Sequence, residues 1–147
     1  MATKRQINMD PIDAGIQREA DAESAIRPGD MVELISGGNI QKQSTASADQ
    51  PVIVAMENYL EGEDLSDSYA AGDIVLYRAY SKGQKFNAIL SDGESVVVGD
   101  DLEFGSVAGE LRKYTSGTKV VEAAEIIDAS NSATTVLADR RIAVIVK

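Results

Sequence analysis

The residues that could carry out chemistry in this 147-residue chain are few and poorly arranged for it. The stretch Ser116-Gly117-Thr118-Lys119 matches the Ser-x-x-Lys pattern of acylating enzymes. In those enzymes the serine begins a helix and the lysine lies one turn later on the same side. Here the stretch contains glycine and runs directly into Val120-Val121. We therefore do not expect Ser116 to act as a nucleophile.

Carboxylates are abundant, but their spacing fits no metal or hydrolase pattern. A calcium loop starting at Asp92 would need an oxygen ligand and a glycine where this chain has Val96 and Val97. With 24 Asp and Glu residues, pairs suited to glycoside hydrolysis arise by chance. The chain has no His, no Cys and no glycine-rich phosphate loop. The sequence predicts no enzyme, no catalytic residues, no metal site and no cofactor, and leaves only weak surface binding of cations open.

The composition indicates a globular β protein with an acidic middle. Hydrophobic residues make up 44% of the chain and aromatic residues 5%, so Val, Ile, Leu and Ala must build the core. The net charge is −10, and residues 57–109 carry three basic and eleven acidic groups. Because phosphate binding needs clustered Lys and Arg, we expect no nucleic-acid partner. No apolar run approaches the roughly 20 residues of a membrane span, so we expect no membrane partner either.

Short apolar runs separated by turn residues predict an all-β barrel or sandwich. Helix signals are weak throughout, although a helical turn is an alternative for Val120–Ile127. The predicted strands are Met31–Ile35, Ile40–Gln43, Val52–Met56, Ile74–Ala79, Lys85–Leu90, Val96–Val98, Leu102–Phe104, Leu111–Tyr114, Val120–Ile127 and Ile142–Val146.

Two connecting features carry expectations of their own. Gly-Asp precedes three of these strands, at Gly29-Asp30, Gly72-Asp73 and Gly99-Asp100, and we interpret it as a turn in which Asp bonds the following backbone N–H. The loop Glu57–Tyr69 holds five carboxylates and no Lys or Arg. Since burying an unpaired carboxylate is costly, this loop is predicted to face solvent.

Residues 1–26 differ from the rest, and we expect an extended N-terminal arm there, with the β domain over residues 27–147. The arm has no β-branched run, and its apolar residues stand isolated among polar ones. We predict that it is a strap that docks on a partner and lies outside the β core, a tail without a role being the alternative. The predicted partner-binding residues are Lys4, Arg5, Ile7, Met9, Ile12 and Ile16.

A longer pattern resembles a known family. It begins with Arg27-Pro28-Gly29-Asp30-Met31-Val32-Glu33 and includes Glu57-Asn58 and Tyr69-Ala70-Ala71-Gly72-Asp73. It continues through Lys82–Leu90, the stretch Asp92–Leu102, and Gly109-x-Leu111-Arg112-Lys113. In order and spacing, over roughly residues 27–147, this resembles the head decoration (cement) proteins of tailed phages.

The resemblance implies a fold, a location and partners. The fold would be a small β-clip or β-tulip-like domain, and the chain, made in the host cytoplasm, would dock on the outer surface of the virion capsid after head expansion. The implied partners are the major capsid protein and further copies of the chain itself, with a trimer favoured over a dimer because icosahedral lattices offer three-fold positions. No catalytic residues accompany the family.

Two alternatives stay open at this point. One is another β-type virion component, such as a tail or baseplate module. The other is a small carbohydrate-binding β-sandwich, for which an exposed pair among Tyr59, Tyr69, Tyr77 and Tyr80 would be the sign.

Overall fold

The computed structural model describes residues 6–10, 15–125 and 141–147, and these residues form an all-β fold, as the sequence predicts. A short 3-10 helix spans Tyr59–Glu61. The described strands are β1 Ile16–Asp21, β2 Val32–Leu34, β3 Ile40–Lys42, β4 Ile53–Ala55, β5 Ile74–Ala79, β6 Lys85–Ile89, β7 Asp101–Phe104, β8 Leu111–Lys113, β9 Val121–Ala123 and β10 Arg141–Val146.

The strands pair antiparallel in three sheets. The largest sheet has the order β6-β10-β9-β7-β8, so β10 lies at an inner position between β6 and β9. A second sheet has the order β1-β5-β4. The third is the hairpin of β2 and β3, whose connection contains Gly37 and Gly38 at positive φ, the conformation that such tight turns require.

Two apolar cores hold the sheets together. The larger core includes the fully buried Phe86, Phe104 and Ile142, and the ring of Phe86 stacks on that of Tyr80 with centroids 4.7 Å apart. The smaller core lies where the β2-β3 hairpin meets the β1-β5-β4 sheet and includes Ile40 and Val75. In β5, successive side chains enter different cores, with Val75 and Tyr77 in the smaller core and Leu76 in the larger one.

Most strand predictions are confirmed, and the structure decides the two segments Val120–Ile127 and Val96–Val98 as follows. Val121–Ala123 is a strand and not a helical turn, while residues 126 and 127 of that predicted segment lie outside the described residues. The predicted strand Val96–Val98 is wrong. Val96 makes only a single bridge, and Val97 and Val98 begin a turn that ends at Asp100.

The Gly-Asp sequences belong to a recurrent turn. In the described chain its glycine-containing form occurs at Arg27–Asp30, Ala70–Asp73, Ser81–Gln84 and Val97–Asp100. The fourth residue donates its N–H to the carbonyl of the first, and its side chain accepts the N–H of the first at 2.7–3.0 Å. The third residue is glycine with φ between 88° and 98°, as a type II turn requires. The side chain thus bonds the N–H three residues before it, and the predicted bond to the following N–H is wrong.

The predicted arm is not separate from the β core. Ile7 is fully buried in the larger core, and its backbone N–H donates to the Glu57 carboxylate at 3.1 Å. Its carbonyl accepts the N–H of Asn87 at 2.8 Å, and Asn8 bridges to Phe86. Residues 6–10 therefore lie along the edge of β6. This placement contradicts the prediction for these residues, because an isolated apolar side chain is buried when a distant strand supplies its pocket.

Residues 15–26 also belong to the β structure. β1 pairs along its whole length with β5, from Ile16 opposite Ala79 to Asp21 opposite Ile74. Ala22 and Ile26 follow β1 into the smaller core. The prediction that the arm lies outside the β core is therefore wrong for residues 6–10 and 15–26. The β domain begins before residue 27.

The loop from Glu57 to Tyr69 faces solvent over most of its length. Glu61, Asp64 and Asp67 are exposed, as predicted. Glu57 is buried instead, because it accepts the Ile7 N–H, and Tyr69 is buried in the smaller core. No helix in the described part of the chain has the length and apolarity to span a membrane.

Candidate docking surface

The structure separates the predicted partner-binding residues. Ile7 is 0% exposed and cannot contact a partner, so that assignment is corrected. Met9 is 39% exposed and Ile16 is 58% exposed, so both side chains are accessible. The remaining three, Lys4, Arg5 and Ile12, lie outside the described residues.

Residues far apart in the sequence form an acidic cleft, which neither Met9 nor Ile16 lines. The cleft has a volume of about 540 Å³ and lies between the β1-β5 pair and the loop after β4. Leu60 and Ile74 line it while remaining 63% and 57% exposed, and neither Lys nor Arg is among the lining residues. We call this surface the acidic face, defined by Glu19, Glu61, Glu63, Asp73, Leu60 and Ile74.

The carboxylates of the acidic face act on one another. The pKa of Glu63 is raised by partial desolvation and by the nearby carboxylates of Asp67, Glu61 and Asp73. At the inner end of the cleft, burial raises the pKa of the Tyr69 hydroxyl to about 12. That hydroxyl donates to the Met56 carbonyl at 2.7 Å. The surface therefore concentrates negative charge, with no Lys or Arg among the described residues that line it.

Hydrogen bonds fix the loop over the sheet. The amide of Gln17 on β1 and the hydroxyl of Tyr59 in the 3-10 helix lie 3.0 Å apart, and the Gln17 oxygen also accepts from Arg78 at 2.9 Å. Within the loop, the Asn58 amide donates to Glu61 at 3.0 Å. The acidic face is consequently held in place by the strands beneath it.

No strand of the described chain pairs with the outer edge of β1 at Gln17 and Glu19, whereas just past β1 Ala22 bridges to Ile40. Met56 donates its N–H to the Leu76 carbonyl, so the backbone groups of Leu76 point toward β4. Because this direction alternates along a strand, the even-numbered residues of β5 point their N–H and C=O groups toward β4 and the odd-numbered residues point theirs toward β1. Their partners on β1 are even-numbered, since Ala20 is opposite Val75. The backbone N–H and C=O groups of Gln17 and Glu19 therefore point away from β5. Within the described chain they make no hydrogen bond.

Two other polar clusters are buried and serve the fold. Asp30 accepts from Arg27 at 2.9 Å, and the same Arg27 nitrogen also bonds Glu110 at 3.1 Å. Glu103 accepts from Thr115, Gly117 and Arg112 at 2.7–2.9 Å. Both carboxylates at the centre, Asp30 and Glu103, are fully buried, so neither can meet a ligand.

The chemical motifs of the sequence do not assemble into a site. Ser116 is exposed, and Lys119 bonds Asp101 at 3.1 Å while lying over the ring of Tyr114. Among the described residues, no three acidic side chains are grouped so as to hold a metal ion. Of the four tyrosines considered for sugar binding, Tyr69, Tyr77 and Tyr80 are buried and only Tyr59 is exposed. The exposed aromatic pair that would favour a carbohydrate site is not formed.

The comparisons with known proteins bear on the fold. The chain matches no family model. It also matches no curated protein. Among solved structures, it is similar to the head fibre gp8.5 N base of bacteriophage phi29. The two share 13% sequence identity with a TM-score of 0.59, over 90% of this chain and 93% of that chain. At this identity the similarity is one of fold, and it extends over almost the whole of both chains.

Proposed function

We propose that this chain is a structural protein of a tailed-phage head that binds the outer surface of the capsid and stabilises the expanded head. The observation that carries the proposal is the fold similarity to a phage head fibre base over 90% of the chain. The resemblance of residues 27–147 to decoration proteins points to the same part of the virion. A fold alone does not determine function, so the proposal needs the surface as well.

The surface supports binding and not catalysis. The acidic face and the outer edge of β1 lie side by side through Glu19, and no described strand covers that edge at Gln17 and Glu19. The buried carboxylates are engaged by the chain's own donors. We therefore propose that the chain is not an enzyme and binds no nucleic acid, since acidic surfaces repel phosphate.

The proposed partners are the major capsid protein and further copies of this chain. A trimer is favoured over a dimer because three-fold and quasi-three-fold positions of an icosahedral lattice accept a closed ring of three. In this proposal the chain is located on the outside of the virion.

Mixing the purified protein with undecorated expanded heads and imaging them by cryo-electron microscopy tests the proposal. We expect density on the outer capsid surface at three-fold or quasi-three-fold positions. Heads that stay bare at saturating protein would contradict capsid binding. Density confined to two-fold axes would contradict the trimer alone. Tails from the same phage serve as the control, since binding to tails instead would favour a tail component.

A further inference from the structure

We propose that the outer edge of β1 and the acidic face together dock an extended segment of the capsid protein in which basic and apolar residues alternate. This inference rests on the proposed function, because it names the element of the capsid that would be bound. It combines three properties of the same strand: unpaired backbone groups at Gln17 and Glu19, carboxylates on one face, and Ile16 and Ala20 beside Arg18 on the other.

The backbone supplies the first property. The N–H and C=O groups of Gln17 and Glu19 point outward and bond nothing in the described chain. An open strand edge of this kind pairs readily with another extended chain, whose main-chain hydrogen bonds give affinity. β1 is itself held rigidly, since all six of its residues pair with β5.

The side chains determine which segment fits. Glu19 and Asp21 lie on the same side of the sheet as Ile74, and Glu19 lines the acidic face. In an antiparallel pair, the residue directly opposite Glu19 projects to this same side. A Lys or Arg there would meet Glu19 directly and lie toward the other carboxylates of the acidic face.

The opposite side of β1 calls for apolar residues. Ile16 is 58% exposed there, Ala20 is half-buried, and the exposed Arg18 lies between them on the same side. A basic residue of the incoming strand would face Arg18, so basic residues are disfavoured on this side, whereas apolar residues fit beside Ile16 and Ala20. Neighbouring residues of the incoming strand project alternately to the two sides, so those between the basic residues would lie on the side of Ile16 and Ala20. Alternating basic and apolar residues therefore match both sides of β1 at once.

A second copy of this chain does not fit the same edge. Suppose that two copies of β1 pair antiparallel through the backbone groups that point away from β5. In the two registers centred on the middle of the strand, Glu19 then lies opposite Glu19 of the other copy, or Arg18 lies opposite Arg18. Like charges directly opposite destabilise a strand pair. The charge pattern of β1 thus disfavours edge-to-edge dimers and leaves the edge to a different chain.

The first experiment uses the whole protein and a peptide probe, acetyl-Lys-Val-Lys-Val-Lys-Val-Lys-amide, followed by NMR on ¹⁵N-labelled protein. We expect the amides of Gln17 and Glu19 to shift most and to exchange with solvent at least about tenfold more slowly, because both become hydrogen-bonded. The matched Glu-Val peptide should not bind. No shift at these amides with millimolar Lys-Val peptide would overturn the inference.

Two N-methylated peptides test backbone pairing without altering the protein. In antiparallel pairing, the residues opposite Gln17 and Glu19 are lysines, and their N–H groups point toward β1. Methylation of every lysine nitrogen should therefore weaken binding by about tenfold or more, whereas methylation of every valine nitrogen should leave it nearly unchanged. Equal binding of both peptides would show that charge alone attracts the probe and would overturn the strand-pairing inference.

Expanded heads separate this inference from the proposed function. Glu19→Lys should weaken attachment to heads by about tenfold or more, and the distant Asp92→Asn should not change it. If wild type and Glu19→Lys attach equally tightly, the inference that β1 docks the capsid segment is overturned, whereas the proposal of capsid binding is not. Heads that bind neither protein would overturn the proposed function, and the peptide measurements would still decide whether β1 accepts a strand.

Discussion

Glu103 illustrates at the scale of one residue how this fold accommodates its acidity. Burial by itself would raise the pKa of Glu103, but hydrogen bonds from Thr115, Gly117, Arg112 and Ser47 outweigh it and hold the pKa at about 2. The same carboxylate ties the β7-β8 pair to the segment that leads into β9. A buried charge is tolerated here because each of its oxygens is hydrogen-bonded.

This low pKa predicts acid sensitivity. The ordinary pKa of a Glu side chain is 4.5 and the folded value is about 2, so the ionised form is favoured by folding. The stabilisation from Glu103, about 3 kcal/mol, should be complete above pH 4.5 and be lost as the pH falls toward 2.

Urea denaturation of Glu103→Gln tests this expectation. At pH 7 the variant should lose about 2–4 kcal/mol, because an amide cannot accept all the bonds of the carboxylate. Between pH 4.5 and 2 its stability should fall less steeply than that of wild type. Asp92→Asn, a substitution at an exposed turn, is the control and should follow wild type. Parallel curves for wild type and Glu103→Gln would contradict the assignment.

A matched pair of glycines separates backbone strain from close packing. Gly99 and Gly109 both have positive φ, 93° and 81°. A Cβ at Gly99 would meet nothing within 4 Å, whereas one at Gly109 would lie 2.7 Å from the buried Asp30 carboxylate. Gly99→Ala should cost about 1 kcal/mol, and Gly109→Ala about 2–4 kcal/mol. Equal urea midpoints for the two variants would show that Asp30 moves aside freely.

At the scale of the element, the segment before residue 27 shows where sequence patterns stop being informative. The bounds of β5 are those predicted from the sequence, because Ile74–Ala79 carries its own β-branched and apolar pattern. β1 was not predicted, because Ile16–Asp21 is mostly polar and becomes a strand only against the edge of β5. The acidic face was missed for the same reason. Its residues come from β1, the loop after β4 and the turn before β5, which only the folded topology brings together.

The burial of Ile7 leads to a stability prediction that reverses the expectation for a free arm. Ile7→Ala should destabilise the isolated protein by about 2–4 kcal/mol, because it removes a fully buried side chain from the larger core. Ile16→Ala, at a position 58% exposed, should cost at most about 0.5 kcal/mol. Thermal unfolding of the two variants measures the difference. Equal, small losses would indicate that residues 6–10 do not hold their place along β6.

At the scale of the whole molecule, a net charge of −10 makes long-range electrostatics part of any association. If a basic capsid segment docks on the acidic face, the association rate should fall several-fold between 50 and 500 mM salt, roughly, as screening shortens the range of attraction. The dissociation rate should change less. Stopped-flow light scattering with expanded heads measures both rates. A salt-independent association rate would indicate that apolar contacts alone guide attachment.

The inner position of β10 has a consequence for how the protein comes into being. During synthesis β6, β7, β8 and β9 all leave the ribosome before β10, yet β10 lies between β6 and β9. Until β10 is available, β6 and β9 lack the partner that pairs with both of them in the folded sheet. We therefore expect the largest sheet to close late, when β10 inserts into its middle. Stalled ribosomes would present an intermediate suited to chaperone capture and to mispairing with neighbouring chains.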